Sequence, residues 1–100
     1  MIAVFYDGHD GQTYRFVPID MSNQRALPSG GGVILIAIQG MPVYISWAAG
    51  ISEYVRRADI WNAARSHHGA TQLYVIPSGN VPWCQTAATS LRARYKPAMN

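Results

Sequence analysis

The amino-acid sequence predicts a single α+β domain built on a small, mainly antiparallel sheet flanked by helices, and three observations carry that expectation. The chain has 100 residues, and a second independent core would leave each half near the lower limit of what folds unaided. Hydrophobic residues make up 49% of it and charged ones 13%, a balance that excludes intrinsic disorder. Short β-branched and aromatic runs, bounded by glycine, proline or aspartate, stand before and between two longer segments of helical period.

The runs Ile2 to Tyr6 and Thr13 to Val17 are separated by the turn-rich hexapeptide Asp7-Gly8-His9-Asp10-Gly11-Gln12 and predict a hairpin over residues 1–19. His9 stands between two aspartates, but residues this close to glycine are the ordinary chemistry of a turn rather than of a metal site. Residues 20–32 are polar and rich in small side chains, ending in Pro28-Ser29-Gly30-Gly31-Gly32, and predict a loop. The triple glycine is no phosphate cradle, because no Gly-Lys-Ser/Thr follows and the next element is a strand.

Residues 33–100 hold the rest of the fold. Val33 to Ile38 and Pro42 to Ser46 form a second strand pair across Gln39-Gly40-Met41, and the unbroken apolarity of the first places it inside the sheet. From Gly50 or Ser52 to Ser66, Ile51, Tyr54, Val55, Ala58, Trp61 and Ala64 recur at helical spacing, with Glu53 and Arg57 paired at i,i+4 on the outer side, which predicts one amphipathic helix. Gly69 ends it, and Gln72 to Ile76 predict a strand. Pro77-Ser78-Gly79-Asn80 then turns the chain into a last helix from Pro82 to Tyr95, with Cys84, Ala87, Ala88, Leu91 and Tyr95 inward.

Composition also narrows function. The longest apolar run, Val33 to Ile38, is far short of the ~20 residues of a membrane span, and the first residues carry no basic region or cleavage site, so no membrane partner and a cytoplasmic location are expected. The lone Cys84 excludes an internal disulfide and a cysteine-based zinc cluster, and its inward position makes it a buried small hydrophobe rather than a nucleophile. All five acids, Asp7, Asp10, Asp20, Glu53 and Asp59, lie in the first 59 residues. The remaining stretch holds Arg65, Arg92, Arg94 and Lys96 with His67 and His68, which predicts a basic face suited to phosphates or an acidic protein. No Gly-x-Ser-x-Gly elbow is present.

The order strand, strand, helix, strand, helix, with Val43-Tyr44-Ile45-Ser46 on the second strand, resembles the GIY-YIG nuclease domain over residues 28–100. Gly32-Val33 stand where that family's first motif begins. Trp61-Asn62-Ala63-Ala64 through His68-Gly69-Ala70-Thr71 look like its helix-to-strand passage, and Tyr95-Lys96-Pro97-Ala98-Met99-Asn100 looks like its closing segment. The resemblance implies a site for phosphodiester cleavage made of one tyrosine from each motif, an arginine on the first helix and a glutamate on a later helix that holds a divalent cation. Position by position, the first tyrosine falls at Ile34, the second is present as Tyr44, the glycine after it is Ser46, the arginine falls at Tyr54 beside Arg56 and Arg57, and the glutamate falls near Ala88. Gly32, Tyr44 and Asn100 are the matched remnants.

Because no side-chain carboxylate follows Asp59, the last helix cannot supply the metal ligand, and the expectation is a degenerate, non-catalytic protein with no cofactor and no metal. Nucleic acid is the first expected partner, held by Tyr44, Tyr54, Arg56, Arg57, Arg65, His67, Arg92 and Lys96. A protein-interaction module, docking on a larger partner or on a second copy through Trp47, is the alternative. An active nuclease with a displaced carboxylate such as Glu53 is the third reading.

Overall fold

The structure is a computed structural model that describes residues 3 to 100, so Ile2, the expected start of the first strand, lies outside the described residues. Five strands, β1 Val4–Asp7, β2 Thr13–Ile19, β3 Gly32–Ile38, β4 Met41–Ala48 and β5 Gln72–Pro77, form one sheet in the order β1-β2-β5-β3-β4 with every neighbouring pair antiparallel. Three helices, α1 Ile51–Ala58, α2 Ile60–His68 and α3 Val81–Tyr95, complete the α+β fold. No helix among the described residues is long and apolar enough to cross a membrane.

β3 explains the layering. Gly32 to Ala37 are all buried; Val33, Leu35 and Ala37 join one apolar cluster, while Ile34 and Ile36 join another. A strand covered on both faces needs no polar alternation, which is why its sequence is continuously apolar. On the first face α3 packs through Leu91 and through Cys84, Ala87 and Ala88, whose small side chains let its backbone approach the sheet closely. Tyr6 anchors this layer, edge-on to Phe16 at 5.8 Å and to Tyr95 at 5.6 Å, and its hydroxyl donates to the Gly40 carbonyl at 3.0 Å. On the second face α1 and α2 bury Ile51, Val55, Ile60 and Ala64 against Ile34, Ile36, Leu73 and Val75.

The N-terminal hairpin is an added sheet edge. β1 pairs only with β2, in register from Val4 opposite Phe16 to Asp7 opposite Thr13, and the far half of β2 pairs with β5 through Val17 opposite Val75. Its turn rests on α3, where the amides of His9 and Asp10 donate to the carbonyl and hydroxyl of Ser90, each at 3.1 Å. His9 is thus a turn residue. β3 and β4 join through a two-residue turn, Gln39 at φ 49° and Gly40 at φ 79°, the double left-handed geometry that matches strand twist.

Three expectations are corrected. The segment from 50 to 66 is two helices rather than one, because Asp59 adopts φ 52° and breaks the ladder. The break brings Ile60 into the core and leaves Ala58 exposed, the reverse of the continuous pattern. β4 continues to Ala48, so Trp47 lies within the strand rather than after it. The loop over 20–32 contains a 3-10 turn, Gln24–Ala26, and is pinned by the buried Leu27.

The far edge of β4 is closed by the chain that follows α3. Met99 N–H donates to Val43 O at 2.9 Å, Ile45 N–H donates to Asn100 Oδ1 at 2.8 Å, and Arg92 donates to Ile45 O at 3.3 Å. These contacts satisfy backbone groups that an open edge would present to another chain.

Candidate functional site

The site grows from the β4–α1 connection. Tyr44 stands opposite Ile36 and projects to the face covered by α1 and α2, where α1 returns over the strand and places Tyr54 against it. The two hydroxyls are hydrogen-bonded to one another. Burial, followed by the hydrogen bond with Tyr54, pushes the Tyr44 hydroxyl up to about 12. At neutral pH it is a neutral donor and acceptor, able to orient an oxygen but not to take a proton as a base.

An open cleft of about 510 Å³ adjoins this pair, lined in part by Trp47, Ala48, Gly50, Glu53, Tyr54 and Arg57. Glu53 and Arg57 form the i,i+4 ion pair that their spacing predicts, at 2.9 Å with side chains 69% and 79% exposed, so the pair contributes little to stability and opens readily to a charged ligand. Trp47 is half-buried against the α3-side cluster and also lines the cleft. Gly32 sits where β3 passes beneath α1. A Cβ there would collide with the Ile76 carbonyl and come within 2.8 Å of the Ile51 methyl, so this family-matched glycine is required by packing.

The eight candidate binding residues do not form one surface. Tyr54 and Arg57 line the cleft with Trp47, and Tyr44 stands behind Tyr54, joined to it through the hydroxyls. Arg56 is turned back onto its own helix, donating to Ser52 Oγ at 2.7 Å and to Ser52 O at 3.3 Å, and borders a smaller groove with Asp59, Trp61 and Asn62. Arg65 lies 5.9 Å above the Trp61 ring in a separate cleft, and His67 is exposed in the last turn of α2. Arg92 and Lys96 belong to α3 and its cap on the opposite side of the sheet, with Arg92 reaching around β4 to the Ile45 carbonyl, close enough for its charge to act on the Tyr44 hydroxyl. The single basic face expected of residues 60–100 is therefore divided, because the sheet separates α2 from α3.

The donor set for a divalent cation does not fit. Ala88, near the position where the resembled family carries its glutamate, is buried and apolar, and Glu53 is the one carboxylate lining the cleft, beside the Arg57 guanidinium. Among the described residues no three His, Cys, Asp or Glu side chains converge on one point. Hard cations require several oxygen ligands, and the β4–α1 cleft offers one carboxylate.

Sequence reasoning missed two features of the helical side. Trp61 and Arg65 are spaced i,i+4, a legible signal for stacking of a guanidinium on a ring, and Asp20-Met21-Ser22 is a legible turn in which aspartate caps its own loop. Their convergence on one cleft has no sequence signal, since it depends on β2 running beside β5. No protein-family model, curated protein or solved structure matches the chain.

Proposed function

We propose that the protein binds nucleic acid through the cleft between β4 and α1 and does not cut it. The carrying observation is the Tyr44–Tyr54 hydroxyl pair beside a cleft whose only carboxylate, Glu53, is neutralised by Arg57. Neutral hydroxyls and an arginine suit phosphate oxygens, and Trp47 and Tyr54 offer aromatic surface to bases. The resemblance of the strand, strand, helix, strand, helix order to the GIY-YIG domain supports a site of phosphodiester-handling ancestry, and the lack of a carboxylate after Asp59 supports its loss of cleavage. The buried free thiol of Cys84 supports a reducing compartment such as the cytoplasm.

The test is a salt-titrated anisotropy measurement with labelled single-stranded DNA and RNA. Binding should be tightest at low salt, and Arg57→Glu should weaken it similarly across sequences while flattening the salt slope by about 0.7 per lost phosphate contact. No affinity at low salt ends the proposal, as does magnesium- or manganese-dependent cleavage that Glu53→Gln abolishes.

A second reading, docking of a protein partner at Trp47, is favoured by the strand edge. Ile45 turns its backbone groups away from β3 toward Asn100 and Arg92, and by the same alternation Trp47 presents its own groups outward at the end of β4. Sedimentation and pull-down with Trp47→Ala as control separate the readings; a strictly monomeric protein that captures no partner counts against this one.

A further inference from the structure

We propose that the cleft between α2 and the segment after β2 is a second site, taking a single nucleotide unit. The base stacks on the Trp61–Arg65 platform, the phosphate meets the Arg65 guanidinium, and Asp20 accepts from a donor on the base or sugar. This site stands apart from the β4–α1 cleft and shares no lining residue with it.

The cleft measures about 510 Å³, within the range of small-molecule sites, and Ile19, Met21 and Ala70 supply the apolar part of a mixed lining. Trp61 is half-buried and lines the cleft, with the Arg65 guanidinium over its ring, 5.9 Å from the centroid. Among the described residues the only ion pair is Arg57 with Glu53, so the charge of Arg65 is committed to no acid. Asp20 is fixed without being used up. Its Oδ1 accepts from the Ser22 amide at 3.0 Å and the Ser22 hydroxyl at 2.7 Å, which leaves Oδ2 open and holds the carboxyl below its usual range, hence anionic. Thr71 uses its amide on Ala37 O at 3.0 Å, and its hydroxyl borders the cleft.

This combination selects by chemistry. A small inorganic anion meets Arg65 but also the Asp20 carboxylate, a basic peptide meets Arg65, and an aliphatic ligand uses neither charge nor the ring. A planar ligand carrying an anion at one end and a hydrogen-bond donor at the other satisfies all three groups, and a nucleotide is that ligand. A paired base within a duplex has no free face for Trp61, so the source is a free nucleotide or an unpaired unit of a single strand.

The experiment titrates GMP, AMP and a short single-stranded oligonucleotide into the full chain, reading tryptophan fluorescence and, for a labelled oligonucleotide, anisotropy. Binding with quenching is expected. Arg65→Glu and Asp20→Asn, both at exposed positions and checked for fold by circular dichroism, should each weaken it about 10- to 100-fold, the loss expected for one charge-assisted hydrogen bond. Arg57→Glu should weaken oligonucleotide binding at the other cleft, and the loss caused by Arg65→Glu should be as large in that background as in the parent, so failure of one site is distinguishable from failure of the other. Mononucleotide binding identifies the free nucleotide as the source, and binding of the oligonucleotide alone, lost with Arg65→Glu, identifies the single strand. No binding of any of the three, binding indifferent to both Arg65→Glu and Asp20→Asn, or equal binding of inorganic phosphate would overturn the proposal.

Discussion

Replacing Asn100 by alanine isolates one bond that closes the sheet beside the tyrosine pair. Ile45 has no solvent exposure, and its amide donates to Asn100 Oδ1 at 2.8 Å from the outer edge of β4. A neutral hydrogen bond of this kind contributes about 1 kcal/mol net, and stranding its donor on a buried residue raises the loss toward about 2 kcal/mol. In a domain of this size that corresponds to a fall in Tm of about 5 to 15 °C. Thermal and urea unfolding measure it, and amide hydrogen exchange localises it, since protection of Ile45 should fall while that of Leu35, its partner on β3, persists. Asn100→Asp retains an acceptor oxygen and should unfold close to the parent. Were Asn100→Ala to change stability by less than about 0.5 kcal/mol, the scatter of ordinary surface substitutions, the edge-closing role assigned to this side chain would be wrong.

Other substitutions test other parts of the structure. Gly32→Ala places a methyl group on the Ile76 carbonyl and the Ile51 side chain, so a loss of about 2 to 3 kcal/mol or failure to fold is expected in urea titration, and a fully stable variant would contradict the packing of β3 under α1. Asn80→Ala removes the side-chain acceptor that caps the Trp83 amide at 3.0 Å at the start of α3, with an expected loss of about 1 kcal/mol; Asn80→Asp should retain most of it. Burial pushes the hydroxyls of Tyr6 and Tyr44 up to about 12, above the ~10 of an unfolded chain. Between these values the unfolded chain has already lost protons that the fold retains, so this contribution is intact below about pH 10 and declines as pH rises toward 12. Solvent reaching the half-buried Tyr44 screens its share to about 1 kcal/mol. Stability curves of the parent and Tyr44→Phe should therefore diverge in slope over that interval; parallel curves would show that Tyr44 is not held neutral.

The candidate site was only partly legible. Tyr44 stood out by its place on a strand, and Glu53 with Arg57 by their spacing, because both signals are local. That Tyr54 meets Tyr44 could not be read, since it depends on α1 folding back over β4 at Gly50. The division of the cations was equally hidden: Arg65 and Arg92 both fall in the acid-free stretch after Asp59, yet a sheet lies between their helices.

The amino-acid sequence by itself determined the kind of nearly every element, the turn chemistry at Gln39-Gly40 and Asn80, and the double burial of β3, because side-chain period and backbone preference act over a few residues. Tertiary structure alone decided the break at Asp59. The spacing of Ile51, Val55, Trp61 and Ala64 reads as one continuous stripe, and only a sheet surface for Ile60 to cover makes a left-handed residue in mid-segment favourable. It likewise decided the order β1-β2-β5-β3-β4 and the cleft that joins Asp20 to Trp61 and Arg65, because such contacts are selected by burial over the whole core and leave no period along the chain.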